Sequence, residues 1–276
     1  MPATGERKGG GHGAGSGSGM SAEPFIVVIP ARMASSRLPG KPLVAIAGRP
    51  LIAHVVARAR ESRAQRVIVA SDDARVLDVA RASGAEACWT PAELPSGTDR
   101  IAAVAAQQRW PDETCVVNLQ GDEPLTPGTL LDELAALLAR HPGADMATLG
   151  VPIRSADDLR DPNQVKLVTD AAGRALYFSR APIPWDREAA HAGHSPDLTQ
   201  ARRHLGLYAY RVGFLRQLTE QPPAALERIE QLEQLRALAI GAWIQVGIVD
   251  APVPAGVDTP EDVDRLERLM AATAQA

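Results

Sequence analysis

The chain has 276 residues and a mass of 29.2 kDa, enough for one large α/β domain or two modest ones with a substantial core. Hydrophobic residues make up 45% and charged residues 22%, and 29 Lys plus Arg against 33 Asp plus Glu leave a net charge of −4. This excludes a global basic field for gripping nucleic acid or an acidic membrane, the two cysteines (Cys88 and Cys115) exclude a disulfide-rich scaffold and a Cys-based zinc site, and no apolar stretch approaches the ~18 residues of a bilayer span.

Residues 1–23 are predicted to be a disordered extension. The run Gly9 to Gly19 is glycine, serine, histidine and alanine only, too little apolar surface to offset its chain entropy. Gly9, Gly11 and Ala14 mimic a dinucleotide-binding spacing, but the strand before and helix after that such a motif requires are missing. Order is predicted from Phe25-Ile26-Val27-Val28-Ile29, an uninterrupted apolar run that reads as a strand buried on both faces. A polar loop, Pro30 to Pro42, follows. Pro50 opens a helix to about Ser62. Val67–Ala70 reads as a second strand, Ala74–Ala82 as a helix closed near Gly84, and Ala85–Trp89 as a third strand. Helix is expected over Asp99–Gln108, strand over Cys115–Leu119 and helix again over Leu130–Ala139. Strands alternating with helices imply parallel pairing with right-handed crossovers.

The rhythm then changes. Val165–Val168 and Ala175–Phe178 flank Asp170-Ala171-Ala172-Gly173, a turn-forming tetrad, so a hairpin is expected. A polar connection, Pro182–Gln200, precedes a strand over Leu205–Arg211. Leu226–Ala239 reads as one helix, with Leu226, Ile229, Leu232, Leu235 and Leu238 as its apolar stripe. Ile244–Val249 returns to the sheet, and Pro260–Met270 closes the chain as helix. The fold expected is α/β: a mixed, mainly parallel sheet flanked by helices, in a single domain over 24–276, with an antiparallel insertion over about 163–211.

Ligands of open parallel sheets bind beyond the carboxyl ends of strands, and three polar segments belong there. The first, residues 29–43, carries Arg32, Arg37 and Lys41 with two serines and a glycine. It suits a polyphosphate, or is simply a solvated basic loop. It is not a P-loop, because Pro42 follows Lys41. The second, Asn118 to Pro124, thrusts Asp122 from a glycine turn, either as a ligand for a hard cation or to stabilise its own turn. In the third, Pro254 to Asp262, Thr259 at the N-cap with Pro260 and Asp262 forms a capping arrangement. That leaves Asp258 either to complement the helix dipole or to be a second metal ligand.

Seven motifs in order resemble the 3-deoxy-manno-octulosonate cytidylyltransferases, also called CMP-Kdo synthetases. They are PARMASSRLPGKPL (30–43), SGTDR (96–100), NLQGDEP (118–124), ALYFSRAPIPWDR (175–187), RHLGLYAYR (203–211), LEQLR (232–236) and GVDTPED (256–262). The likeness spans nearly all of residues 25–270. The loop-lysine and QGDEP motifs alone indicate the wider nucleotidyltransferase superfamily; SRAPIPWDR with RHLGLYAYR narrows it to the Kdo branch. The glycine-rich tail has no counterpart, residues 188–200 match poorly, and Asp99 stands where many members have Glu.

The resemblance implies a nucleotidyltransferase-type fold and the reaction CTP + Kdo → CMP-Kdo + pyrophosphate. It also implies magnesium as cofactor and a cytoplasmic homodimer serving lipopolysaccharide synthesis, with no nucleic-acid or membrane partner. Arg32, Arg37 and Lys41 would hold the triphosphate, with Asp122 and Asp258 as the magnesium ligands. Pro30, Ala31, Ser96, Gly97, Thr98 and Arg100 would join Arg32 and Lys41 around the nucleotide. Kdo would meet Gln120, Arg180, His204, Tyr208, Glu233 and Gln234. Read without the family, only Arg180 among these six stands out. His204 fits a structural histidine, Tyr208 ordinary sheet packing, and Glu233 a solvated helix face shared with Glu227 and Glu230. The competing readings are a cytidylyltransferase for another acidic sugar and a silent nucleotide-binding regulator, which has no need of two metal carboxylates.

Overall fold

The computed structural model describes residues 23–35, 37–250 and 256–274. Residues 1–22 of the predicted tail (1–23), Ser36 of the first loop, and Pro254 and Ala255 of the third segment lie outside them. In chain order the strands are β1 (Phe25–Ala31), β2 (Ala45–Ile46), β3 (Arg49–Pro50), β4 (Arg66–Ser71), β5 (Glu86–Trp89), β6 (Cys115–Asn118), β7 (Met146–Pro152), β8 (Lys166–Thr169), β9 (Ala175–Ser179), β10 (Arg202–Arg211) and β11 (Ile244–Ile248). The helices are α1 (Leu51–Arg60), α2 (Ala74–Ala82), α3 (Gly97–Gln107), α4 (Gly128–Arg140), α5 (Ala156–Arg160), α6 (Arg187–Ala192), α7 (Val212–Thr219), α8 (Ala225–Glu230), α9 (Gln234–Ala239) and α10 (Pro260–Ala274).

All seven residues of β1 are buried, and successive side chains alternate between two cores. Val27 and Ile29 pack on one face with Val55 and Val56 of α1 and Leu131 and Leu134 of α4. Ile26 and Val28 pack on the other with Ile101 and Val104 of α3 and Leu215 of α7. This two-sided cover explains why β1 carries no polar alternation. The main sheet runs β11-β7-β10-β6-β1-β4-β5. Pairing is parallel except at β10, which is antiparallel to both β6 and β7. From β1 the chain builds outward through β4 and β5, then returns to place β6 on β1's other side. The carboxyl ends of β1 and β6 therefore flank a topological switch point, where open α/β sheets bind ligands.

The expected hairpin is β8–β9, antiparallel and joined to the main sheet where Arg202 and Arg203 of β10 pair with Leu167 and Lys166. In its turn the Asp170 carboxylate accepts from the amides of Ala172 and Arg174. Several expectations are corrected. The strand β7 is absent from the expected elements, although it lies inside the sheet between β10 and the edge strand β11. The small β2–β3 hairpin and helices α5, α6 and α7 were also missed, α6 within the connection read as polar coil. The single helix expected over Leu226–Ala239 is two, α8 and α9, parted at Gln231 with φ at 54°. Only the second half of its stripe is in the core: Leu232 and Leu235 are buried, whereas Leu226 and Ile229 are exposed.

The last helix reaches back to the first loop. Leu266 of α10 and Val257 before it are buried with Leu38, Ile46 and Leu51. This small third core ties the chain's end to the segment that follows β1. Both cysteines are free and buried, and burial pushes the Cys115 thiol up to about 12, so it is an inert core side chain. Among the described residues no helix is long and apolar enough to cross a membrane.

Candidate active site

A cleft of about 410 Å³ opens at the switch point. Its walls come from the loop after β1, the turn after β6, the start of α3 and the approach to α10. Of the residues predicted for a site, Pro30, Ala31, Arg32, Arg37, Lys41, Ser96, Gly97, Thr98, Arg100, Gln120, Asp122, Glu233 and Asp258 all line it. The structure thus brings together segments more than 200 residues apart in the chain.

The centre of the cleft is one ammonium between two carboxylates. Lys41 Nζ lies 2.6 Å from Asp122 Oδ2 and 2.9 Å from Asp258 Oδ1. Arg37 reaches the same Asp258 oxygen at 3.0 Å from a largely exposed position. Burial by itself lowers the Lys41 ammonium, but Asp122 and Asp258 outweigh it and hold the group above the ordinary lysine value. Local structure places each partner. Lys41 begins a 3₁₀ turn, Lys41–Leu43, anchored by buried Pro42 and by Leu43 N donating to Gly40 O. Gly121 lets the turn after β6 close on β1, since a Cβ there would stand 2.8 Å from Pro30 O.

Asp258 is carried in by a similar close approach. The amide of Val257 donates to Asp122 O at 2.9 Å, and a Cβ on Gly256 would come within 2.9 Å of both Asp122 O and Glu123 Oε1. Only glycine permits this contact without displacement. The cap of α10 is a reciprocal pair. Asp262 N donates to Thr259 Oγ1, and Asp262 Oδ2 accepts from the amides of Asp258 and Thr259. The carboxylate of Asp258 is therefore not spent on the cap, as the sequence suggested.

Two carboxylates already gathered about a cation are a donor set that fits a hard divalent ion sharing phosphate oxygens. Among the described residues, no cluster of three or more His, Cys, Asp or Glu could hold a metal ion. An ion here would take its remaining oxygens from nucleotide and water.

On the α3 side, Ser96 is the N-cap. Its hydroxyl oxygen accepts from Asp99 N at 3.2 Å and donates to Asp99 Oδ2 at 2.6 Å. The retained acid at position 99 thus serves the cap. Gly97 stands against the Pro30 ring. Arg100 is 2% exposed; it donates to Thr90 Oγ1 at 2.6 Å and lies 3.6 Å from Asp72. Its outer nitrogen Nη2 is buried without a hydrogen-bond partner among the described residues. Burial lowers the Arg100 guanidinium, with Asp72 opposing.

Four of the predicted sugar contacts do not line the cleft. Arg180 spends its guanidinium on main-chain oxygens, donating from Nε to Glu230 O at 2.7 Å and from Nη1 to Pro162 O at 2.9 Å. The Arg180 carbonyl accepts from fully buried Lys166, which also donates to Asp161 O and Gln164 O. His204 is buried, with Nε2 2.8 Å from Thr148 Oγ1 and its ring against Phe178 and Tyr208. Burial pushes its imidazole down to about 3, so it is neutral. Tyr208 sits opposite Asn118 in the β10–β6 register, its ring beside those of His204 and Tyr210. Gln234 is buried, and its Nε2 has no hydrogen-bond partner among the described residues.

The glutamates read as a solvated row are nothing of the kind. Glu227 pairs with Arg236, both side chains about one-tenth exposed. Glu230 accepts from Ser179 Oγ and Arg180 N. Glu233 lines the cleft, and burial raises its carboxyl. Sequence reasoning passed over Glu123, whose carboxyl burial pushes up to about 8, with Asp122 adding to the shift. Its place beside Asp122 in the glycine turn was the available signal.

A family model described as cytidylyltransferase matches residues 26–245. The chain is 52% identical over 248 residues to the 3-deoxy-manno-octulosonate cytidylyltransferase of Thioalkalivibrio sulfidiphilus, covering 90% of this chain and 99% of that protein. It is similar to a solved CMP:2-keto-3-deoxy-manno-octonic acid synthetase complexed with CTP, with TM-score 0.82, 39% identity, and coverage of 91% of this chain and 99% of the other. A cytidylyltransferase from Leptospira borgpetersenii serovar Hardjo-bovis shares the fold, with TM-score 0.59 at 17% identity over 90% of this chain and 87% of that one.

Proposed function

Since the chain belongs to the cytidylyltransferase family and, within it, to the 3-deoxy-manno-octulosonate cytidylyltransferases, we propose that the cleft around Lys41 is where it transfers CMP from CTP to Kdo. The reaction yields CMP-Kdo and pyrophosphate. The observation that carries this placement is the meeting of Asp122 and Asp258 at the Lys41 ammonium. The anomeric hydroxyl of Kdo attacks the α-phosphorus in line, a P–O bond to Kdo forms, the bond to the α–β bridging oxygen breaks to release pyrophosphate, and the hydroxyl's proton passes to solvent. Such a transfer asks the protein for positioning and charge stabilisation. Arg32, Arg37 and Lys41 grip the triphosphate and neutralise the departing pyrophosphate. Magnesium, held by Asp122 and Asp258, would supply charge neutralisation at the α-phosphate and acidify the attacking hydroxyl.

Pro30, Ala31, Ser96, Gly97, Thr98 and Arg100 take the nucleoside end. Gln120 and Glu233 face the sugar hydroxyls. Partly buried Tyr208 and buried His204 and Gln234 stand behind the sugar subsite, and Arg180 fixes the turn between α8 and α9 from which Glu233 projects. Neither cysteine takes part. The product feeds lipopolysaccharide synthesis in the cytoplasm. Exposed Leu176 on β9 supports a homodimer through the antiparallel insertion over about 163–211, and exposed Leu226 and Ile229 on α8 add apolar surface outside it.

The test is pyrophosphate release measured over the four nucleoside triphosphates crossed with Kdo and other acidic sugars. Release with CTP and Kdo well above every other pair is expected; equal or faster release with UTP, or with another acidic sugar, overturns the assignment.

A further inference from the structure

The Lys41 ammonium occupies the point on which Asp122 and Asp258 converge, and Arg37 lies on the outer side of Asp258. Two carboxylates thus face two cations, and the local charge is balanced before any ligand arrives. A divalent ion approaching alone must displace an ammonium that is only 15% exposed and bonded at 2.6 and 2.9 Å. Charge-assisted contacts of that length in a half-buried site are among the stronger ones a protein makes. A triphosphate changes the balance. Its oxygens offer Lys41 and Arg37 a denser negative charge on the same side of the cleft, where Arg32 and Ala34 also stand.

Resting on the nucleotidyl-transfer reading of this cleft, we propose that Lys41 is an internal counter-ion that competes with the divalent metal for Asp122 and Asp258, so that the enzyme takes up metal together with the triphosphate and not before it. Lys41 moves to the phosphates, and the two carboxylates it releases become ligands. One side chain then has two successive partners. Metal held ahead of nucleotide would leave the triphosphate's cationic grip facing carboxylates already neutralised. The exchange couples the two arrivals.

The test is manganese binding to the nucleotide-free protein, followed by the electron paramagnetic resonance of free Mn²⁺. The parent chain should bind weakly. Lys41→Met should bind at least about tenfold more tightly, although it loses CTP turnover. Lys41→Arg, which keeps the cation, should stay near the parent. Should Lys41→Met fail to fold by circular dichroism, Lys41→Gln gives the same comparison. Affinity in the neutral variant equal to or below the parent's overturns the proposal. Adding Asp122→Asn to the Lys41→Met chain should abolish the gain; a gain that persists locates the ion elsewhere and defeats the metal reading of the cleft itself.

Discussion

His204 shows how burial sets a side chain's role. Thr148 Oγ1 donates to Leu207 O and so accepts from the imidazole at 2.8 Å, which fixes the Nε2–H tautomer. Protonating this ring would strand a charge between Phe178 and Tyr208. The folded-state value of about 3 lies below the ordinary 6.5. The neutral ring therefore contributes stability that is fully present above pH 6.5 and is lost as pH falls towards 3, by up to about 1.4 kcal/mol per pH unit. His204→Gln should flatten the fall of the urea midpoint between pH 6.5 and about 4, while its stability at pH 7.5 drops by about 1–3 kcal/mol; an unchanged slope would count against the buried neutral histidine. Arg180 teaches the same lesson from the other side. Its charge marks it in the sequence as a carboxylate grip, but its partners are carbonyls of residues 162 and 230, brought to it only by tertiary folding.

Helices α8 and α9 are the element in which local pattern and structure part most clearly. An apolar residue every three positions from Leu226 to Leu238 reads as one stripe. At the break, Gln231 caps α8 in the left-handed region with its amide donating to Glu227 O, and Arg180 takes up the Glu230 carbonyl from outside. The Glu227–Arg236 pair then bridges the two helices with Nε–Oε2 at 2.9 Å. Removing one member leaves the other buried and unpaired. Arg236→Met should therefore cost about 3–5 kcal/mol in urea unfolding; a loss under about 1 kcal/mol would show that the pair is solvated. The strand β7 was hidden for a different reason. Gly150 and Pro152 punctuate it and Thr148 lies mid-run, so its seven residues lack both alternation and a continuous apolar run. It is a strand because β10 and β11 supply ladders on both sides. By contrast β1, β4 and β6, buried on both faces, announced themselves through apolar runs alone.

At the scale of the molecule, the site exists because the order in which strands are added reverses at β1, with β4 and β5 on one side and β6 on the other. That reversal sets the loop carrying Lys41 beside the turn carrying Asp122, and the small core of Leu38, Ile46, Leu51, Val257 and Leu266 brings Asp258 to both. Motif chemistry made the side of the cleft around Lys41, Asp122 and Asp258 legible. Glycine turns, cations after a buried strand and a cap that leaves an aspartate over each have a local physical reason. The side proposed for the sugar was less legible, because which of Arg180, His204, Tyr208, Glu233 and Gln234 faces the cleft depends on the α8–α9 break and on strand register. The most direct measurement is a double-mutant cycle on CMP-Kdo formation with Asp122→Asn, Asp258→Asn and both together. If the two carboxylates act as one unit, each single change lowers kcat/KM by at least about a hundredfold and the double falls little below the worse single; losses that multiply independently, or a single variant near the parental rate, would contradict the shared site.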